Sequence, residues 1–343
     1  MYQNRNWKLA VFRSSLYCAN AFTNSSGEND WLTRKFSTLL TNGARPGRVT
    51  RLRVMFGSKS SVRPTSTLTF RRTVWRAPQS GPYSRQIWAP ELHWLDGHWY
   101  IYVAASDGDN RNHRTIVLES RTGVPLEPFE FRAELFTGDP GDGQPNRWAI
   151  DSTVCEWQGV RYLFWSGWEQ DQDVQYLYAA RLRTPWEIGG PRVRLCDNQT
   201  YTWERVSESP LERGLHEAPQ PLVHGDRLML VYSCCGAWQQ YYKLGLLVLR
   251  QGGDPLVPED WQKLPDPVFR ASATTRGVGH CCFTQSPDGR EDWLIYHAKR
   301  NVTDGWERDI YAQRFSWNGN GLPEFGLPLP AGTALPALSG ARP

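Results

Sequence analysis

The sequence predicts an all-β fold, a five-bladed β-propeller. The first observation is a recurring unit. It opens on a charged or titratable residue, passes a short Gly-containing turn and returns as an aromatic, β-branched run. Its opening residues, Glu91, Asp151, Glu217 and His280, lie 60, 66 and 63 residues apart. The second is that Gly and Pro punctuate the chain and few long helical patterns occur. The third is length: 343 residues at this period make five units, and a blade of a propeller holds about four antiparallel strands.

Each copy has its own local logic. Trp88-Ala89-Pro90-Glu91-Leu92-His93-Trp94 leads through Asp96-Gly97 to Trp99-Tyr100-Ile101-Tyr102-Val103. An Asp-Gly pair between such runs signals a hairpin. Asp151-Ser152-Thr153-Val154 leads through Gln158-Gly159 to Tyr162-Leu163-Phe164-Trp165. Glu217-Ala218-Pro219 leads through Gly225-Asp226 to Leu228-Met229-Leu230-Val231-Tyr232, and His280-Cys281-Cys282-Phe283 leads through Asp288-Gly289 to Trp293-Leu294-Ile295-Tyr296. The first strand of each blade lines the axis of a propeller. Glu91, Asp151, Glu217 and His280 are therefore expected to converge in one funnel. Taken singly, each reads equally well as a polar residue before a strand.

Between these units the chain reads as connection. Ser106–Arg114 is a polar loop before the strand Thr115-Ile116-Val117-Leu118, Thr137–Gln144 is a Gly/Asp/Pro turn, and Gln251–Pro267 is a turn-rich bridge. The blades are expected at about 148–195, 217–249 and 279–317, after one that begins near Gln79. Residues 1–330 form one propeller, with 1–72 atypical, and 331–343 form a tail. Met1–Val11 is the candidate strand for closing the ring.

The cysteines number seven, including the neighbours Cys234-Cys235 and Cys281-Cys282. Adjacent strand residues point to opposite faces, so these pairs read as buried small side chains and not as a disulfide framework. No apolar run approaches a membrane span. Arg5, Lys8 and Arg13 interrupt the N-terminal segment, a poor secretory signal. Sequons at Asn24, Asn198 and Asn301 are compatible with secretion; location, cytoplasmic or secreted, stays open.

Residues 1–80 carry 14 Lys and Arg against two acids, Glu28 and Asp30. That net of +12 in a chain of +4 leaves −8 for the remainder. A basic arm for nucleic acid or another polyanion is one reading, but no nucleic-acid motif accompanies it.

Several motifs in order give a resemblance. Ile87-Trp88-Ala89-Pro90-Glu91-Leu92-His93, Ala149-Ile150-Asp151-Ser152-Thr153-Val154, Leu215-His216-Glu217-Ala218-Pro219, Val278-Gly279-His280-Cys281-Cys282-Phe283 and Gly305-Trp306-Glu307-Arg308-Asp309 resemble glycoside hydrolase family 43. Within it the chain is most similar to the α-L-arabinofuranosidases, from about Thr73 to about Pro330. The resemblance implies an inverting glycosidase that releases terminal α-L-arabinofuranosyl, or β-xylosyl, residues from plant polysaccharide fragments. It implies Glu217 as general acid and Asp151 as the carboxylate that orients it and raises its pKa. It places Trp88, Glu91, His280 and Arg308 near the sugar. His280 would hold a central Ca2+ through its water shell, with no cofactor required for the chemistry. Arabinose- or xylose-containing oligosaccharides are the expected partners of a monomer, with no nucleic acid or membrane.

The first blade departs from the family. Arg45-Pro46 stands where the resemblance implies the Asp-Pro that carries the general base. Arginine cannot take a proton from water, and Asp30 is the nearest acid in sequence. The acid-free, Arg-rich stretch is what a local shift of reading frame would produce. Impaired hydrolysis, a non-catalytic sugar-binding propeller and a polyanion- or protein-interaction propeller are the readings this leaves.

Overall fold

The computed structural model describes residues 6–7, 19–22, 37–42, 51–58, 68–122, 124–139, 141, 143, 145–169, 174–301 and 303–340, with side chains from Thr73 onward. The fold is an all-β propeller with only one-turn 3-10 segments for helix. The described residues form four blades, where the period predicts five.

Blade I is built from Arg85–Leu95, His98–Ser106, Arg114–Ser120 and Phe129–Glu134. Blade II has Ala149–Trp157, Val160–Trp168 and Gln175–Thr184, with Glu187–Ile188 and Val193–Arg194 both pairing to its third strand. Blade III has His216–His224, Arg227–Cys234, Lys243–Leu249 and Trp261–Lys263; blade IV has Gly279–Gln285, Asp292–Lys299, Arg308–Trp317 and Pro323–Glu324. The last strand of blade III lies in the stretch that reads as a bridge in sequence. A fifth sheet, Ser37–Asn42, Arg51–Ser58 and Leu68–Arg76, has three strands. This first portion lacks the Asp-Gly turn and the tyrosines of the first repeated unit.

Asn6–Trp7 pairs with Ala19–Phe22, which adds in parallel to the inner strand of blade I through Ala19↔Leu92 and Asn20↔His93. Asn6–Trp7 also lies near the inner strand of blade IV, and the rest of the candidate closing strand Met1–Val11 lies outside the described residues. Arg45 and Asp30 lie outside the described residues.

The hairpins form where the sequence places them. Asp96-Gly97 and Gln158-Gly159 have positive φ at both positions, 50° and 82°, and 50° and 77°. That is the turn whose twist matches the flanking strands, and Gly adopts it without steric cost.

The core lies between blades. Tyr100, Tyr102 and Val117 of blade I meet Leu163, Trp165 and Tyr178 of blade II. Phe164 and Leu177 meet Leu228, Leu230 and Trp261 across the next interface, and Leu246 and Phe269 meet Leu294 and Tyr296 across the third. The far face of blade I packs on Val74 and Trp75 of the three-stranded sheet. Each such fully buried side chain contributes about 1.5–3 kcal/mol, so adjacent blades are fixed to one another.

Of the cysteines, Cys155, Cys196, Cys234, Cys235 and Cys281 are thiols, whereas Cys282 is disulfide-bonded. Cys282 thus departs from the reading of the vicinal pairs as buried small side chains.

Gly245 faces Tyr232 on the neighbouring strand of blade III. A Cβ there would run into the Tyr232 ring, which is fully buried and tethered by its hydroxyl to Glu204 at 2.6 Å. Gly245→Ala is expected to cost about 1–3 kcal/mol through overpacking. Urea unfolding should show a lower midpoint at unchanged slope; an unchanged midpoint would show that the ring swings aside.

Candidate active site

All four inner strands kink at one place. In each blade two residues of the inner strand oppose one of the second strand: Ala89-Pro90, Asp151-Ser152, Ala218-Pro219 and His280-Cys281. The first residue of each pair has positive φ, between 46° and 55°. Such a β-bulge bends the strand and re-aims a side chain. A left-handed backbone at a residue with a Cβ is uncommon and costs of order 1–3 kcal/mol.

The bulge gives a truer phase than the opening residues of the repeat. Asp151 and His280 occupy the bulge itself, Glu217 precedes it, and Glu91 follows it by two. Gln220 is the blade III equivalent of Glu91, and the two touch: Gln220 donates to Glu91 Oε1. The other Glu91 oxygen meets His93 Nε2 at 3.0 Å.

Asp151 and Glu217 form a coupled pair. Asp151 Oδ2 accepts the backbone N–H of Ala218 at 2.9 Å, the residue after Glu217. Glu217 Oε1 accepts from the Tyr242 hydroxyl at 2.6 Å, and Oε2 lies 3.4 Å from Gln175 Nε2. Both carboxyls are almost fully buried. Burial pushes Asp151 well above the usual carboxyl range, and the charges of Glu217 and Glu91 push it further. Burial raises Glu217 too, against the opposing pull of Tyr242, Arg308 and Gln175. Two buried carboxyls this strongly coupled do not both ionise readily, so the pair retains a proton above the pH at which free carboxyls lose theirs.

The remaining candidates surround this pair. Arg308 is buried at the start of a blade IV strand and donates to His297 Nε2 at 3.0 Å. The His297 ring stacks on Tyr242, centroids 5.2 Å apart, and the Arg308 charge acts on Glu217. His280 keeps partial exposure; its backbone N–H is held by Ser233 Oγ at 2.8 Å, and burial with the nearby Arg308 charge pushes its pKa down to about 3. Trp88 stacks on His113 at 3.8 Å and packs beside Trp148 and Trp168, which stack on each other at 4.6 Å. It is half-buried.

The residues do not fit a directly held calcium ion. Calcium takes six to eight oxygen ligands. His280 offers a nitrogen beside a guanidinium, and among the described residues no three His, Cys, Asp or Glu side chains gather in ligand geometry.

This arrangement agrees with sequence comparison. The profile of Glycosyl hydrolases family 43 matches residues 66–323. The chain belongs to that family. The match begins after Arg45, so the departed stretch lies outside it. Among curated relatives, Alpha-L-arabinofuranosidase 43 of Humicola insolens is 34% identical over 271 residues, 76% of this chain and 53% of that protein. The extracellular exo-alpha-(1->5)-L-arabinofuranosidase of Streptomyces chartreusis is 34% identical over 232 residues, 66% of this chain and 67% of that protein. The chain therefore spans between about half and two thirds of the length of these relatives. The crystal structure of alpha-L-arabinofuranosidase from Lactobacillus brevis superposes with a TM-score of 0.72 at 27% identity, covering 87% of this chain and 95% of that one.

Sequence reading missed Tyr242, Gln175, His297 and Gln220. Tyr242 and Gln175 fall outside the repeated unit. His297 and Gln220 fall within it, and the bulge phase would have aligned Gln220 with Glu91.

In this family 43 chain, the Tyr242 hydroxyl favours the ionised Glu217. Tyr242→Phe removes that donor, so the Glu217 pKa should rise. A carboxyl 13C titration, with Glu217 assigned by its loss in Glu217→Gln, should show the shift upward. A downward shift would mean that the hydroxyl serves the protonated form.

Proposed function

We propose that the chain is a glycoside hydrolase that releases terminal α-L-arabinofuranosyl residues from plant polysaccharide fragments, with β-xylosyl units as the alternative substrate. Family membership and the names of its relatives support the class. The observation that carries the reading is the buried, coupled pair of Asp151 and Glu217 with Arg308 beside it.

In this reading Glu217 gives its proton to the leaving oxygen. The nearby Asp151 carboxyl disfavours a second charge, so a proton stays on the pair until the glycosidic oxygen arrives. The Ala218 N–H, held by Asp151, ties the two side chains into one unit. Arg308 and His280 face the same space and would take sugar hydroxyls, and the half-buried Trp88 would give a ring for an apolar sugar face. Glu91 has both oxygens engaged by Gln220 and His93, so it braces the axis. No step is assigned to Ca2+.

An inverting reaction also needs a base on the opposite side of the sugar, about 6.5–9.5 Å from the acid. The family resemblance puts it on the first blade, at the place of Arg45. A sugar-binding propeller with little turnover is the second reading, and Arg45 is the observation that favours it. Loss of the base forfeits about 10²–10⁴-fold in rate.

Activity that depends on a proton on the pair is present below its raised pKa and lost as pH rises through it. The basic limb should therefore lie above the ordinary carboxyl range. Steady-state rates on an aryl α-L-arabinofuranoside test the assignment. Glu217→Gln is expected to remove turnover by about 10²–10⁴-fold with an unchanged circular dichroism spectrum. Near-wild-type turnover in that variant would take the acid role from Glu217. Calorimetric binding of an arabinose oligosaccharide with no turnover by the unaltered chain would favour the second reading.

A further inference from the structure

A second buried charge cluster stands directly behind the acid. Glu204 lies at the end of the 3-10 turn Thr202–Glu204 and is fully buried. Its Oε1 accepts from His216 Nε2 at 2.8 Å and from the Tyr232 hydroxyl at 2.6 Å; its Oε2 accepts from Lys263 Nζ at 2.7 Å. Burial alone would raise the pKa of Glu204, but His216 and Lys263 outweigh it and hold it below the usual range. Lys263, conversely, is held above its ordinary value by Glu204 despite burial. The three side chains come from three places: a turn, the outer strand of blade III and its inner strand.

His216 immediately precedes Glu217. Its backbone carbonyl accepts from Ser166 Oγ at 2.7 Å, and Ser166 Oγ in turn accepts from Gln175 Nε2 at 3.1 Å. The same Gln175 nitrogen faces Glu217 Oε2. Glu204 also takes the Leu215 N–H on its own backbone carbonyl at 3.2 Å. The strand that carries Glu217 is thus clamped twice to Glu204, once through Leu215 and once through the His216 ring. A buried charge pair contributes little net stability compared with an apolar replacement, so fixing geometry is the use this cluster best serves.

We propose that Glu204, neutralised by Lys263, is a positioning residue for Glu217: it clamps the His216 ring and the Leu215 backbone, and so sets where the acid's carboxyl sits and what charge it feels from behind. This rests on the reading of Glu217 as the acid.

The groups facing Glu217 are Asp151 from blade II, Tyr242 and Cys234 from blade III, and Arg308 from blade IV. Those facing Glu204 are His216, Tyr232, Lys263, the neighbours Cys196 and Asp197 of Lys263, and Cys234, which faces both carboxyls. The two sets meet at the strand His216–Glu217. Glu204→Gln leaves the Lys263 charge unbalanced, which favours ionised Glu217. Lys263→Met leaves the Glu204 charge unbalanced, which favours protonated Glu217.

The test is the carboxyl 13C titration of Glu217 in the whole chain, its signal assigned by loss in Glu217→Gln. Glu204→Gln should lower the pKa and Lys263→Met should raise it, each by about 0.3–1 unit. Lys263→Arg should restore the wild-type value. A merely structural cluster would lower thermal stability but would not move the two variants in opposite directions. Shifts of one sign, or none, overturn the proposal. If Glu204→Gln does not fold, the Lys263→Met and Lys263→Arg pair decides by the same criterion. Aryl arabinofuranoside turnover is read separately: an inactive wild type with opposed shifts removes the enzyme reading and leaves the clamp standing.

Discussion

The structure depends on a single backbone constraint repeated four times, the left-handed kink of each inner strand. A regular strand would send successive side chains to alternate blade interfaces. The bulge breaks that alternation at Ala89, Asp151, Ala218 and His280. The cost of a left-handed alanine, aspartate or histidine is met by the packing on either side: below each kink the strand resumes its ladder, and the blade interfaces close around Tyr102, Trp165, Tyr232 and Tyr296. Polar side chains at or beside the kinks gather because these four strands all bend where they meet.

Gathering them creates the second problem, the burial of charge. Two carboxyls taken out of water with a third nearby would be unstable if all ionised. The molecule answers with specific donors and a retained proton. The Ala218 N–H serves Asp151, Tyr242 serves Glu217, and Gln220 serves Glu91. Arg308 supplies the opposite charge but donates to neutral His297, and both His297 and His280 are kept neutral by burial and by that same arginine. Charge thus stays balanced while the acid keeps the property it needs.

Much of this was legible in the chain. The turn pairs Asp96-Gly97 and Gln158-Gly159 formed as hairpins, and the motif residues Glu91, Asp151, Glu217, His280 and Arg308 came together. Blade number was not legible from period and length, because arithmetic on length assumes that each segment carries the unit's chemistry. Residues 1–72 have neither its turn nor its aromatic return strand, and three strands formed there as a separate sheet. The phase of the repeat was misjudged for a related reason. Aligning charged residues put Glu91 with Asp151, whereas the backbone aligns Ala89 with Asp151 and Glu91 with Gln220. Glu204 was invisible for a third reason: its partners, His216, Tyr232 and Lys263, are brought together only by the packing of a turn against two strands.

The distribution of functional groups over the blades has a chemical consequence. Asp151 comes from blade II, Glu217 and Tyr242 from blade III, and Arg308, His297 and His280 from blade IV. In the proposed reaction these groups serve proton donation, and each is held by contacts within these blades. In the proposed inverting reaction the water-activating group comes from elsewhere, and the resemblance implies the sequence position that Arg45 occupies. The two halves of the reaction therefore rest on separate parts of the chain. The proposed acid half can be measured separately, because burial and the neighbours Glu91, Gln175, Tyr242 and Arg308 set its pKa, and all of these lie after the first seventy residues.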